Sequence, residues 1–228
     1  RNKEIRENHL RAVEFRYPEW IPCSVSLSPA AWKKYREKLE DLVIRHPLIF
    51  GPYEKGSTDF DEMPSCHRKG EYFTDNWGCV WYNVQEGIEG QVVGHPLQDW
   101  IALDDYKPPD PLLKAERGER DWEEIKKSIE ERRRNGLVTV GSGERLFDRL
   151  YFLRGFTNLM ADLVRNDPHL PRLIRMLEDY ELKLIDKWLE IGVDAISFHT
   201  DIGTQHGLMI SPAKFREYIK PLFKKLFT

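Results

Sequence analysis

The chain is poor in cysteine. Its three, Cys23, Cys66 and Cys79, are odd in number and far apart, which argues against a disulfide framework. Long apolar runs are missing as well. None approaches the roughly 20 residues that a membrane helix needs, and no signal-peptide pattern opens the chain. Nor is there an excess of one charge: the formal net charge is -3, which gives no electrostatic case for nucleic acid or an anionic membrane. Internal repeats and low-complexity tracts are absent. These absences predict a soluble, cytoplasmic protein with no nucleic-acid and no membrane partner.

Enough apolar material is present, 40% of 228 residues, for one sizeable core or two small ones. Residues 2–15 read as a helix, and residues 20–27 (WIPCSVSL) as a first strand. Ser28-Pro29 then caps an amphipathic helix over 30–45, with Trp32, Tyr35, Leu39, Leu42 and Val43 at helical spacing. From 47 to 111 the pattern breaks into a Gly- and Pro-punctuated, aromatic-rich insertion or subdomain. Within it, YFTDNWGCVWYNV and GIEGQVVGHPL read as paired strands.

Regular structure resumes with a polar surface helix over 121–134. A strand over 137–140 follows, ending in Gly141-Ser142-Gly143. Helices are predicted over 144–164 and from Asp167-Pro168 to 190, where Gly192 ends the second. Strands alternating with amphipathic helices argue for a parallel α/β architecture. A complete barrel needs about 250 residues. With about four β/α units countable, barrel and open-sheet versions both stay open, and the expectation is a single α/β domain over 1–228 carrying the 47–111 insertion.

The chemistry is concentrated in residues 191–221. A short apolar strand over 195–198 is expected to be buried on both faces. Behind it come His199, Thr200, Asp201, Gly203, Thr204 and Gln205, and then Ser211-Pro212 opens a helix. Polar groups massed after a buried strand are where α/β folds place their sites. Asp201 suits either a ligand-directed role or a loop cap, and Gln205 either a ligand contact or a loop brace. His199 could donate a proton near neutral pH or simply satisfy a neighbouring carbonyl. The aromatics Tyr72, Phe73, Trp77 and Trp81 suit a pocket wall or a subdomain core. The Gly-Ser-Gly run around Ser142 would let a backbone approach a ligand. Cys66-His67 with Cys79 lacks the spacing of a zinc site, so no metal ligands are assigned.

ISFHTDIGTQHGLMISPAKFREYIKP resembles the uroporphyrinogen decarboxylase superfamily. LFDRLYFLRGFTNLMADL and YFTDNWGCVW…HPLQDW…PDP are similar to that superfamily's middle segments. The resemblance implies a (β/α)8 TIM barrel, incomplete in this chain, with its active site at the C-terminal mouth of the strands. It implies one of two chemistries: cofactor-free decarboxylation of a tetrapyrrole, or a corrinoid (cobalamin)-dependent methyltransferase moving a methyl group between methylcobamide and a small acceptor or donor. By its FSD-like context Asp75 matches the superfamily aspartate that faces pyrrole nitrogens in the decarboxylases. Asp201 and Gln205 match the loop pattern, whereas His199 and Thr200 depart from it.

The arginine-rich loop of the decarboxylases is replaced here by VSLSPAAW, and Arg149 stands where they carry a tyrosine. Losing arginines that would fork onto substrate carboxylates turns the expectation toward the methyltransferase branch. On that resemblance Asp75, Asp201 and His199 are the catalytic candidates. Gln205, Thr200, Trp77, Ser142 and Arg149 are the substrate-binding ones. The corrinoid would be presented by a partner corrinoid protein, zinc would require residues outside this chain, and a homodimer stays open. A non-catalytic barrel or interaction subunit is the remaining alternative.

Overall fold

The structure, a computed structural model, describes residues 2–228. It is a mixed α/β fold with two small open sheets, and no closed barrel forms among the described residues. The chain divides into two compact units. One comprises Arg1–Phe73 with Val80–Val93, the other Thr74–Cys79 with Gly94–Thr228. The division therefore runs through the stretch expected to be one insertion.

In the first unit, helix α1 (Asn2–Val13) buries Asn8, whose side-chain amide donates to Trp20 O (2.8 Å) and accepts from Glu19 N–H (2.6 Å). The strand expected over residues 20–27 does not form. Pro22 has no N–H to give a ladder, Ile21 is 86% exposed, and Val25 N–H reaches Ile49 O (3.3 Å) without a ladder beside it. Helix α2 (Pro29–Arg45) starts as predicted, with Ser28 Oγ accepting from Ala31 N–H (3.2 Å). It is broken at Arg36, which sits at φ +47 and forks onto Asp61 at 2.9 and 3.1 Å. Further along, buried Glu40 accepts from Tyr53 O–H and Gly56 N–H. A short helix α3 (Pro47–Phe50) follows.

Strands β1 (Tyr72–Thr74), β2 (Val80–Tyr82) and β3 (Gln91–Gly94) form a sheet in that order. Its aromatic density is cross-strand packing: Tyr72 meets Tyr82 at 4.6 Å and Phe73 stacks on Trp81 at 5.6 Å between ring centroids. Trp81 is buried, so this part of the expected pocket wall is core.

The second unit holds the regular α/β structure. Asp121 caps helix α4 (Trp122–Arg134), accepting from Glu123 and Glu124 N–H at 3.0 Å each. Then come β4 (Val140–Arg145), α5 (Phe147–Arg154), α6 (Phe156–Arg165), α7 (Leu170–Ile191) and β5 (Ala195–His199). Strands β4 and β5 pair in parallel, with Val140 opposite Ala195, Gly141 opposite Ile196 and Ser142 opposite Ser197. An irregularity then brings Arg145 opposite His199. Parallel pairing demands a long crossover, which the three helices supply.

The register is pinned at its entrance by Thr139 and Asp194. Thr139 N–H and Oγ1 both donate to Asp194 Oδ2 (2.9 and 3.0 Å), and Asp194 N–H returns a bond to Thr139 Oγ1 (3.1 Å). Helix α7 buries Leu173, Leu177, Leu184 and Trp188, at about 1.5–3 kcal/mol for each fully buried leucine.

Three expectations change here. The strand predicted over 137–140 begins later and contains Gly141-Ser142-Gly143, because other side chains lie directly on the bare glycine backbones. A Cβ on Gly141 would stand 2.5 Å from the Trp188 ring, and one on Gly143 would stand 2.3 Å from Phe198. The helix predicted over 144–164 is two helices, since Gly155 at φ +85 turns the chain between them. The strand predicted over 195–198 is only half-buried, because this sheet has two strands. Beyond it, Ser211 Oγ accepts from Lys214 N–H (3.3 Å) and opens helix α8 (Pro212–Lys214), a π turn (Phe215–Ile219) and helix α9 (Lys220–Phe227). No helix among the described residues is long and apolar enough to cross a membrane.

Candidate functional site

Asp75 organises the turn between β1 and β2. Its Oδ1 accepts from the backbone N–H groups of Trp77 (2.9 Å) and Cys79 (2.8 Å), an Asx turn that the Asp-Asn-Trp-Gly sequence favours. The other oxygen, Oδ2, meets Arg149 Nη1 at 3.0 Å. Arg149 comes from α5, is fully buried, and also reaches Glu116 Oε2 (2.6 Å) and Glu144 Oε1 (3.2 Å) through Nη2. Its guanidinium lies 4.9 Å from the Trp77 ring centre, and Trp77 Nε1–H donates to Glu144 Oε2 (2.8 Å).

Glu144 accepts in addition from Arg145 N–H (2.7 Å), while Arg145 Nε–H shares Glu116 Oε2 (3.0 Å). Burial by itself would lower the pKa of Arg149, but the fields of Glu144, Asp75 and Glu116 outweigh it and raise the pKa above an arginine's ordinary value. Glu116 is pushed up, first by burial and then by Glu144, against the pull of Arg149 and Arg145. Burial, then Asp75, pushes the Cys79 thiol up to about 12, and its Sγ contacts Phe152 O at 3.4 Å.

A second polar group lies at the C-terminal ends of β4 and β5. His199 O accepts from Leu146 N–H (3.0 Å), and Thr200 Oγ1 accepts from Phe147 N–H (3.0 Å), the first residue of α5. Asp201 N–H donates to Asp148 Oδ2 (2.7 Å), and Tyr151 O–H donates to Asp148 Oδ1 (2.9 Å). The loop after β5 is thereby stapled to the first turn of α5. Burial first, and then Asp148, raises the Tyr151 pKa, so the phenol stays a donor. The loop closes through a Gly203–Leu208 bridge and a Thr204–Gly207 turn.

The structure thus brings Asp75, Trp77 and Arg149 together, but as a buried ion cluster. Trp77 is 1% exposed, so it does not face a pocket. Thr200 and Asp201 are brought to the α5 N-terminus, where the off-pattern threonine serves as a cap-like acceptor. The side chains of Asp201 and His199 are exposed at the strand end, and Gln205 is exposed on the turn. Ser142 is exposed on β4 opposite Ser197, and its carbonyl accepts from Trp188 Nε1–H (3.1 Å).

Glu116, Glu144 and Glu181 were missed by sequence reasoning. For Glu181 a signal existed: it sits four residues after Leu177 on the apolar stripe of α7, where a carboxylate is out of place. Glu116 and Glu144 lie in polar runs that carry no such mark. Among the described residues no group of three or more His, Cys, Asp or Glu side chains could hold a metal ion. Two open grooves lie elsewhere. One of about 560 Å³ is lined by Leu208, Phe215 and Phe223 among others, and one of about 480 Å³ by residues 108–111 and α7. Neither is lined by the ion cluster or the strand-end residues.

Fold and site together describe a mixed α/β chain with polar groups at the C-terminal ends of a parallel strand pair. No family model matches the chain, and neither a curated protein nor a solved structure matches it.

Proposed function

We propose that this chain is part of a (β/α)8 barrel enzyme of the uroporphyrinogen decarboxylase type that acts as a corrinoid-dependent methyltransferase. The barrel is supported by the parallel β4–β5 pair, its helical crossover, and a polar site at the C-terminal strand ends. The choice of chemistry rests on one observation: Arg149 and Arg145, which lie next to the strand end, are already paired with carboxylates. Arg149 is surrounded by Asp75, Glu116 and Glu144, and Arg145 is held by Glu116. A tetrapyrrole bearing several carboxylates needs unspent cations, whereas Asp148 and Asp201 leave the strand end acid-rich. Such a site suits a small neutral or cationic methyl donor or acceptor.

The corrinoid, carried by a partner protein, would supply the methyl-exchanging centre, and no residue of this chain is assigned as its ligand. Asp201 and His199 would orient the small molecule from the β5 end, and Tyr151, fixed by Asp148, would keep the α5 side rigid. The test mixes the protein with a free reduced corrinoid and a panel of small methyl donors, and follows the visible spectrum. A donor-dependent spectral change supports methyl transfer. No change with any donor, alongside production of coproporphyrinogen from uroporphyrinogen, would replace it with decarboxylation.

A second reading, a non-catalytic barrel domain, is favoured by Asp75. Both of its carboxylate oxygens are spent on Trp77, Cys79 and Arg149, so it offers nothing to a substrate. Inertness in both assays would favour that reading.

A further inference from the structure

Glu181 is the one carboxylate on the buried stripe of α7, and its residue is 0% exposed. Oε1 accepts from Glu144 N–H at 2.8 Å, which ties α7 to strand β4. Oε2 is buried and has no hydrogen-bond partner among the described residues. It lies against the backbone of Gly143, where an added Cβ would stand 2.9 Å from it and 2.3 Å from the Phe198 ring. A negative charge on that oxygen would have no hydrogen-bond donor to meet it, whereas a neutral carboxyl loses far less on burial.

The charged and titratable groups facing it come from β4, α5, α7 itself and the segment ahead of α4. Glu144 of β4 repels a charge there, while Arg120 ahead of α4 and Arg149 of α5 attract one, and Tyr180 neighbours it on α7. Arg149 is already committed to Asp75, Glu116 and Glu144.

We infer that Glu181 is a proton-bearing carboxylic acid at neutral pH, and that its ionisation loosens the packing of α7 on β4, making this helix–strand contact a pH-sensitive element. Burial, followed by Glu144, pushes its pKa from the ordinary 4.5 up to about 8. Between those values the folded chain holds a proton that the unfolded chain has lost. Stability is therefore fully present below the lower value, declines as pH rises through the window, and levels off above the upper one. The device is independent of the reaction proposed above.

Glu181→Gln keeps the shape and the acceptor for Glu144 N–H but cannot ionise. The experiment compares thermal unfolding of the full chain and the variant from about pH 5 to about pH 9, with carboxyl 13C NMR of labelled glutamate. The expected result is a melting temperature that falls with pH more steeply in the parent than in E181Q, so that the variant's advantage grows toward the alkaline end. One glutamate carboxyl should titrate near pH 8 and be missing from E181Q. Should E181Q fail to fold, Glu181→Met serves for the assignment. Parallel pH profiles, or no parent glutamate titrating above about pH 7, would overturn the inference.

Discussion

Asp75 and Arg149 lie 74 positions apart in sequence and 3.0 Å apart in space, both with fully buried side chains. The pair joins the β1–β2 turn to α5, and its removal should be costly in an asymmetric way. Arg149→Met leaves Asp75 and Glu144 buried without their cation, and should cost about 3–5 kcal/mol in denaturant unfolding. Asp75→Asn keeps the turn acceptor while losing the charge, and should cost about 1–3 kcal/mol. The double variant should lose clearly less than the sum of the two. Additive losses would mean that the two residues act separately.

The glycines of β4 make a sharper steric test. Gly141→Ala drives a methyl into Trp188, and Gly143→Ala drives one into Phe198, at separations no Cβ tolerates. Each should destabilise by about 1–3 kcal/mol or more, read as a drop in melting temperature. Shortening Phe198 to Leu should return part of the Gly143→Ala loss. If both alanine variants melt like the parent, the close packing of α7 and β5 on this strand is wrong.

Elements whose signals are local were legible in the sequence, and those decided at long range were not. Ser28-Pro29 and Gly192 marked helix ends through a side chain or a φ preference of their own, and the structure uses both in that way. Gly141-Ser142-Gly143 read as the end of a strand rather than its middle, because nothing nearby shows that Trp188 and Phe198, dozens of residues later, will cover the bare backbone. Residues 20–27 had strand composition, yet no strand partner takes them up. Within the site, the loop after β5 was legible as polar residues behind a strand. The ion cluster was not, because Glu116, Glu144 and Arg149 are ordinary surface residue types until the fold buries them.

The three thiols should separate by reactivity. Cys23 is exposed, Cys66 is half-buried, and Cys79 is buried with its thiol pushed up to about 12. Only the thiolate reacts, so a raised pKa and burial act together against Cys79. Maleimide labelling of the native protein near neutral pH, mapped by peptide mass spectrometry, should modify Cys23 first, Cys66 more slowly, and Cys79 only after denaturant is added. Early modification of Cys79 would show that the Asp75 turn opens readily.

Thr200 and Asp201 are neighbours with separable roles, and separating them tests whether the strand end is a working site. Thr200 Oγ1 satisfies Phe147 N–H, so Thr200→Val should cost about 1 kcal/mol of stability, the ordinary worth of one hydrogen bond. Asp201 contributes its backbone N–H to Asp148, whereas its carboxylate is exposed. Asp201→Asn therefore leaves the staple to α5 intact, and its melting temperature should match the parent's. If that carboxylate positions or protonates a substrate, turnover in whichever of the two assays proves positive should fall by about 10²-fold or more. The protein of Asp201→Asn should at the same time stay as stable as before. A variant equally active and equally stable would reduce Asp201 to a solvent-facing loop residue and move the search for the reacting groups to His199 and Tyr151.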